Sequence, residues 1–501
     1  MMIACLAAAA LALLAAPALA QSLADRLESR IRGAGLGEVS IGISVVDLDT
    51  GAAIVARDAA TARTPASNMK LLTSAAALLT LGPDFAFRTE IQLSGDRLVI
   101  LGAGDPALGD PDLLRALTPP MTPDEMLSAI ARAVADAGVQ QVSEVVVDDR
   151  IFVREGPHPL WPEDQLHRWY CAEVEGVNFN TNVLDVYARP RRLRDGSPAE
   201  PEITVTPLMS WLEFESRVST INDRNRQSGI DTLRPEPGVN RLLVIGQVRV
   251  PAGPAHVCVY QPGLWTGRLI ADRLHDAGVR VGDGHKRAHN AARYAEPGEN
   301  LPADRTLVAI TTPMDEILAR CNGDSQNLYA EALLKRMAYE VTGQPGSWTG
   351  GTDVLRMLLV ERLGSRLGGS VRFSDGSGMS RGNSVPPEVF TAWLRMIDAE
   401  PELRRAMRAS LARPGQGTLR RRFREDTPRN EMLAKTGLLD GVRALSGYIE
   451  SEAGPAVAFS ILMDDIPSRL DGAARRVMDE LALEIDAHVT RQAARTPARG
   501  G

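Results

Sequence analysis

Two periodicities alternate along this chain, one of two residues and one of about three and a half, and they change at defined places. Val39 to Val55 reads as a pair of strands joined at Asp49-Thr50-Gly51, a hairpin signal. From Ser67 to Leu81 the chain is largely apolar and rich in Ala and Leu, which predicts a buried helix beginning at Ser67 and ending at Gly82-Pro83. From about Phe87 the pattern turns to short strands, Thr89–Leu93 and Arg97–Leu101, broken by Gly102-Ala103-Gly104-Asp105-Pro106. An amphipathic helix is expected over Thr122–Ala137, a buried strand over Val142–Asp148, and a loop over Gly156–Tyr170. Further strands are expected at Leu184–Tyr187, Glu202–Val205 and Leu242–Val250, then a helix at Gly267–Ala277 and a linker at Pro297–Pro302.

Helical periods dominate after Pro313, at Met314–Ala319, Leu328–Val341, Thr352–Leu363 and Pro387–Ala399. Strands follow at Met432–Leu438, Ala444–Glu450 and Ala456–Leu462, then an amphipathic helix at Ser468–Arg491 and a disordered tail over 494–501. The simplest parse is one domain split in two. A hairpin and helix at the N-terminal end belong with the α-plus-β C-terminal half, and a β-rich insertion separates them.

Composition narrows the picture. The 501 residues are 44% apolar, enough for a large core and more than one domain. Only 4% are aromatic and the net charge is −7, which argues against a nucleic-acid or general polyanion binder. Met1–Ala20 is almost wholly apolar and ends in Ala18-Leu19-Ala20, a small-x-small cleavage signal, so the expected mature start is Gln21 and the expected location periplasmic. No basic residue precedes that run, and an N-terminal anchor is the alternative. Cys171, Cys258 and Cys321 remain after Cys5 leaves, an odd number without metal-ligand spacing. His285 and His289, four apart, lack a nearby acidic third ligand and read as a solvated face. No metal or organic cofactor is implied.

Lysine occurs only at positions 70, 286, 335 and 435, although Lys and Arg together number 56. A chain that uses arginine for plain positive charge keeps lysine where a proton must be lost, since arginine stays charged. Ser67-Asn68-Met69-Lys70 places a hydroxyl and an amine three residues apart, on one helix face. Burial would lower the Lys70 pKa and let it take the Ser67 proton, beside the positive end of a helix. Ser325-Gln326-Asn327, between a polar loop and a helix, offers a hydroxyl to relay a proton and an amide to hold a peptide group; alone it reads more readily as a polar helix cap. Lys435-Thr436-Gly437 lies within an apolar strand, where a lysine is costly unless it faces a site and a glycine marks the close approach of another backbone. A peptide could add along that edge, its carboxylate meeting Lys435 and Thr436. The three motifs in this order match the serine-lysine set of penicillin-binding proteins and β-lactamases.

The sequence resembles the class C low-molecular-mass penicillin-binding proteins, the D-alanyl-D-alanine carboxypeptidase/endopeptidase family. The resemblance rests on Pro65-Ala66-Ser67 to Lys70, Leu81-Gly82-Pro83-Asp84-Phe85, Gly102 to Pro106, Val147-Asp148-Asp149, Asp375-Gly376-Ser377-Gly378-Met379-Ser380-Arg381, and Lys435 to Tyr448. It implies an α+β fold, a penicillin-binding/β-lactamase-like transpeptidase domain with an antiparallel sheet flanked by helices. That domain would comprise 21–88 and 303–493, with two inserted β-rich domains over 89–302, the inner one at roughly 105–182. It further implies an acyl-enzyme on Ser67, with Lys70 as base and Ser325 as proton shuttle. Asn327, Lys435, Thr436, Gly437 and Leu438 would bind substrate, and the N–H groups of Ser67 and Leu438 would form the oxyanion hole. The implied partners are peptidoglycan stem peptides and cross-links and β-lactam antibiotics, with no nucleic acid, and a homodimer is left open.

Two positions depart from the family pattern. Gln326 stands where aspartate is common, and Leu438 where a threonine or serine hydroxyl usually meets the substrate carboxylate. Loss of that hydroxyl should weaken carboxypeptidase action more than endopeptidase action. The Asp375–Arg381 run reads as a structural turn rather than a catalytic element. A β-lactamase or esterase on the same scaffold, or a non-catalytic wall-binding protein with relict motifs, are the rival readings.

Overall fold

The structure, a computed structural model, describes residues 21–236, 238–283 and 287–495. The expected leader Met1–Ala20, His285 and residues 496–501 of the expected tail lie outside these; Ala494 and Arg495 close the last described helix as a turn.

A five-stranded antiparallel sheet forms the first domain, in the order Glu431–Leu439, Val442–Glu450, Ala456–Asp464, Ser40–Asp47, Ala53–Arg57. The hairpin at Asp49-Thr50-Gly51 therefore forms an edge of a sheet whose other strands come from the far end of the chain. Alternate side chains enter different cores, as the period of two demands. Ile41, Ile43, Val45, Leu445, Phe459 and Ile461 pack against helices Leu23–Gly33 and Asp471–Ala493. Ala444, Tyr448, Ala458 and Leu462 face the larger helical core, which holds Met69–Leu81, Asn327–Thr342, Trp348–Gly368 and Pro387–Asp398.

The insertion builds a second five-stranded sheet, in the order Ala292–Tyr294, Val145–Asp148, Arg97–Leu101, Ala86–Ser94, Arg305–Pro313. Its last strand pairs antiparallel with Ala86–Ser94, so the chain leaves the first domain near Ala86 and returns near Pro313, ten residues beyond the boundary drawn at 303. The inner unit also differs from the one expected at 105–182. Val145–Asp148 runs parallel to Arg97–Leu101, joined by the crossover helix Pro123–Asp136, and so belongs to the five-stranded sheet. Two three-stranded sheets instead form over residues 183–258. Strands Glu213–Thr220, Gly229–Leu233 and Ala252–Cys258 went unpredicted because their faces are largely wet and polar, which blurs the alternation. Among the described residues no helix is long and apolar enough to cross a membrane.

The insertion is pinned to the helices that carry the second motif. Arg320 donates from Nε to the buried carboxylate of Asp110 at 3.0 Å, and the Tyr329 hydroxyl donates to the same group at 2.5 Å. Lys335, a buried lysine outside the motifs, pairs with Glu155 at 2.8 Å and lies 4.0 Å over the Trp348 ring.

Candidate active site

Ser67 sits in a single 3-10 turn, Ala66–Asn68, and the α-helix proper begins at Met69. The expected helix start is thus a tighter turn, and Ala66 takes a left-handed φ of 44° within it. Its neighbours hold it there. A Cβ on Gly378 would fall 1.8 Å from the Ala66 carbonyl oxygen, and a Cβ on Gly437 would fall 2.9 Å from that of Pro65. Gly437 therefore does mark a close backbone approach, and the backbone is that of the nucleophile's own turn. Asn68 stitches the same turn to the strands, its amide nitrogen donating to the Lys435 carbonyl at 2.9 Å and its oxygen accepting from the Ser446 N–H at 3.2 Å.

Lys70 is fully buried, one helical turn beyond Ser67. Its Nζ contacts the Ser67 Oγ at 3.1 Å, the Asn327 Oδ1 at 2.6 Å and the Ser377 carbonyl oxygen at 2.8 Å. Burial brings its pKa down to about 8, against the partial opposition of the surrounding Cys321, Glu331 and Asp375. Asn327 Oδ1 and Ser377 O can only accept, so each fixes one N–H of the amine. The remaining tetrahedral position points at Ser67. When Lys70 is neutral, that position holds the lone pair, and the serine hydroxyl becomes the donor.

The third motif reaches the same place from the sheet edge. Lys435 Nζ donates to Ser325 Oγ at 2.8 Å and to the Thr436 carbonyl at 2.8 Å. Burial and the nearby Lys70 hold its pKa well below the usual lysine value. With its oxygen accepting from Lys435, Ser325 keeps its own O–H free to donate onward. Ser325 takes a left-handed φ of 65° in the turn between helices Met314–Asn322 and Asn327–Thr342, which aims its side chain toward Lys435. All eight residues singled out by sequence converge here, and Ser67, Ser325, Asn327, Thr436, Gly437 and Leu438 line one open cleft of about 890 Å³.

Three contributions come from outside the serine-lysine, Ser-x-Asn and Lys-Thr-Gly motifs or from groups those motifs do not single out. Asn327 donates from Nδ2 to the Tyr170 carbonyl at 2.8 Å, so one of its two N–H bonds is spent on the inserted loop before any substrate arrives. Glu331, one turn along the same helix, accepts from the N–H groups of Gly376 at 2.9 Å and Ser377 at 2.8 Å and from the Trp348 indole at 2.9 Å. Burial and the Asp375 charge raise its pKa. Asp375 accepts from Gly378 N at 2.8 Å, Ser380 N at 2.6 Å and the Trp161 indole at 2.9 Å. The Asp375–Arg381 turn is structural, and what it builds is the wall behind Lys70. The signal for Glu331 was its place midway between Asn327 and Lys335, three polar residues four apart on one face of a helix otherwise rich in Ala and Leu. No local pattern announces Tyr170.

Residues 23–485 match the family described as D-Ala-D-Ala carboxypeptidase 3 (S13). The chain belongs to that family. It is a serine peptidase, a hydrolase of the penicillin-binding class. Within the S13 family it is 31% identical to the D-alanyl-D-alanine carboxypeptidase of Actinomadura sp. (strain R39), over 96% of this chain and 88% of that one. It is 23% identical to the D-alanyl-D-alanine carboxypeptidase DacB of Haemophilus influenzae, over 79% of each. The crystal structure of penicillin binding protein 4 (dacB) from Haemophilus influenzae shares the fold, with a TM-score of 0.72 and 19% identity over 93% of this chain and 98% of that one. That likeness in fold covers the first domain and the insertion together.

Proposed function

We propose that this protein is exported and cleaves D-Ala-D-Xaa bonds in peptidoglycan peptides through an acyl-enzyme on Ser67. The apolar Met1–Ala20 segment with its Ala18-Leu19-Ala20 signal supports export to the periplasm. The observation that carries the chemistry is the orientation of Lys70, whose two fixed acceptors leave the third Nζ position facing the Ser67 hydroxyl.

In acylation, neutral Lys70 takes the Ser67 proton as Oγ bonds to the D-Ala carbonyl carbon. The oxyanion forms against the N–H groups of Ser67 and Leu438. The C–N bond then breaks, and the leaving amine receives a proton from Ser325, which is replenished from the Lys70–Lys435 side. Water attacks the ester and regenerates Ser67. Lys435 and Thr436 hold the carboxylate on the leaving residue, and the free N–H of Asn327 holds the acyl-side amide. A β-lactam enters the same path and leaves Ser67 acylated, because its amine remains tethered in the cleft.

Incubation with a pentapeptide monomer and with a cross-linked dimer tests this. The reading requires D-alanine from the first and monomers from the second, with neither from Ser67→Ala. Products at equal rate from Ser67→Ala would refute it.

A further inference from the structure

The active-site cleft does not end at Leu438. Along the edge strand, Lys435 points to Ser325 and Gly437 abuts the Pro65–Ala66 turn, so Thr436 and Leu438 project to the other face. Arg443 stands directly opposite Leu438 in the ladder and shares that face. From there the cleft continues as an arm between the 413–430 loop and the start of helix Asp471–Ala493, lined by Thr418, Arg421, Arg422, Ser468 and Arg475. Leu438 is 58% exposed, so the strand offers an open apolar surface, not a hydroxyl, at the mouth of this arm.

The charges in the arm are unevenly satisfied. Arg422 is paired with Asp479 and Arg443 with Asp471. Arg421 and Arg475 are exposed and have no carboxylate partner among the described residues. Arg475 and Arg443 both act on Arg422, whose pKa burial and these two like charges push down, so the guanidinium groups are close enough to repel. Asp440, at the strand turn, is the cleft's one carboxylate without an ion partner among the described residues, and it offsets only part of this charge. A cleft that keeps two unpaired guanidinium groups, one of them beside like charge, is suited to an anion.

We infer that Arg421 and Arg475 bind the carboxylates of a leaving peptide longer than one residue, which makes the arm a specificity site for cross-linked rather than terminal D-Ala bonds. The inference rests on the proposed role of Ser67 and deepens it. The leaving side is assigned because Thr436, one of the two residues that hold the leaving residue's carboxylate in the reaction above, shares its strand face with Leu438 at the mouth of the arm. A terminal D-alanine ends there. The leaving stem of a cross-link carries further carboxylates outward, into the arm, and an arginine fork meets each of them in bidentate fashion.

The test is steady-state cleavage by the purified protein of a cross-linked tetrapeptide dimer and a pentapeptide monomer, in wild type, Arg421→Gln/Arg475→Gln and Arg421→Lys/Arg475→Lys. Two partly exposed ion pairs give about a tenfold fall in kcat/KM on the dimer for the glutamine variant, carried by KM, and under about threefold on the pentapeptide. The lysine variant keeps the charge without the planar fork and should recover only part of the loss, and raising the salt concentration should lower wild-type activity on the dimer more than that of the glutamine variant. An equal fall on both substrates, or no fall on the dimer, overturns the inference while leaving the Ser67 mechanism intact. Cleavage of neither substrate by wild type, with penicillin still acylating Ser67, overturns the proposed activity and the inference with it.

Discussion

The Ser377 carbonyl oxygen accepts from Lys70 Nζ at 2.8 Å, across 307 positions of sequence. That contact, with the Asn327 oxygen at 2.6 Å, sets which way the amine faces. The consequence is a nucleophile–base pair whose direction is decided by groups that take no part in bond making.

Acylation should therefore follow the ionisation of Lys70. Its neutral form is the base, and its pKa is lowered to about 8, so the rate of penicillin acylation should rise as pH increases toward about 8 and level off above it. A stopped-flow pH series measures this. Lys70→Arg cannot lose its proton and should slow acylation by about 10²–10⁴-fold at every pH.

Glu331 should act on the same profile from a distance. Its carboxylate holds the N–H groups of Gly376 and Ser377, and its charge favours the protonated form of Lys70. Glu331→Gln removes that charge and turns an NH₂ toward a donor. The acylation midpoint should move to lower pH, because Lys70 loses a group that raised its pKa. Folding should weaken by about 1–3 kcal/mol, the cost of an unpaired buried donor. A lower melting temperature with an unmoved midpoint would restrict Glu331 to a structural part.

The approach of the Asp375–Arg381 turn to Ala66 predicts a selective cost at Gly378. Its φ is +83° and an added Cβ would meet the Ala66 carbonyl at 1.8 Å. Gly378→Ala must displace the turn that carries Ser67. Thermal unfolding should show a loss of more than about 1 kcal/mol, and penicillin acylation should fall with it.

Much of this site was legible in the sequence because its chemistry is carried by short motifs. Ser67 to Lys70 and Lys435 to Gly437 are each fixed by one helix turn or one strand, and the scarcity of lysine made both stand out. Helices such as Pro387–Asp398, which buries Val389, Phe390, Trp393 and Ile397 on one face, announced themselves by period. What the pattern could not give was pairing at a distance. Val145–Asp148 reads as a buried strand, yet nothing in it says that its neighbour is Arg97–Leu101. Tyr170 meets Asn327 through its carbonyl oxygen, a group that every residue has. Pro401–Ser410 is amphipathic but short and strongly charged, with Leu403 and Met407 as its only buried apolar residues, too few turns to stand out by period.

Leu438 offers a gain-of-function test. It is exposed, so a change there costs little stability. Leu438→Thr restores a hydroxyl on the face where a terminal carboxylate would lie. Cleavage of the pentapeptide relative to the cross-linked dimer should rise by about two- to tenfold, the worth of one hydrogen bond. An unchanged ratio in a paired kinetic assay would remove Leu438 as a determinant of preference.

The central claim is that the hydroxyl facing Lys70 is the one that becomes acylated. Intact-protein mass spectrometry after exposure to benzylpenicillin, followed by peptide mapping, tests it most directly. The account predicts a single penicilloyl adduct on the peptide containing Ser67 and none in Ser67→Ala; an adduct that maps elsewhere, or that persists in Ser67→Ala, would contradict it.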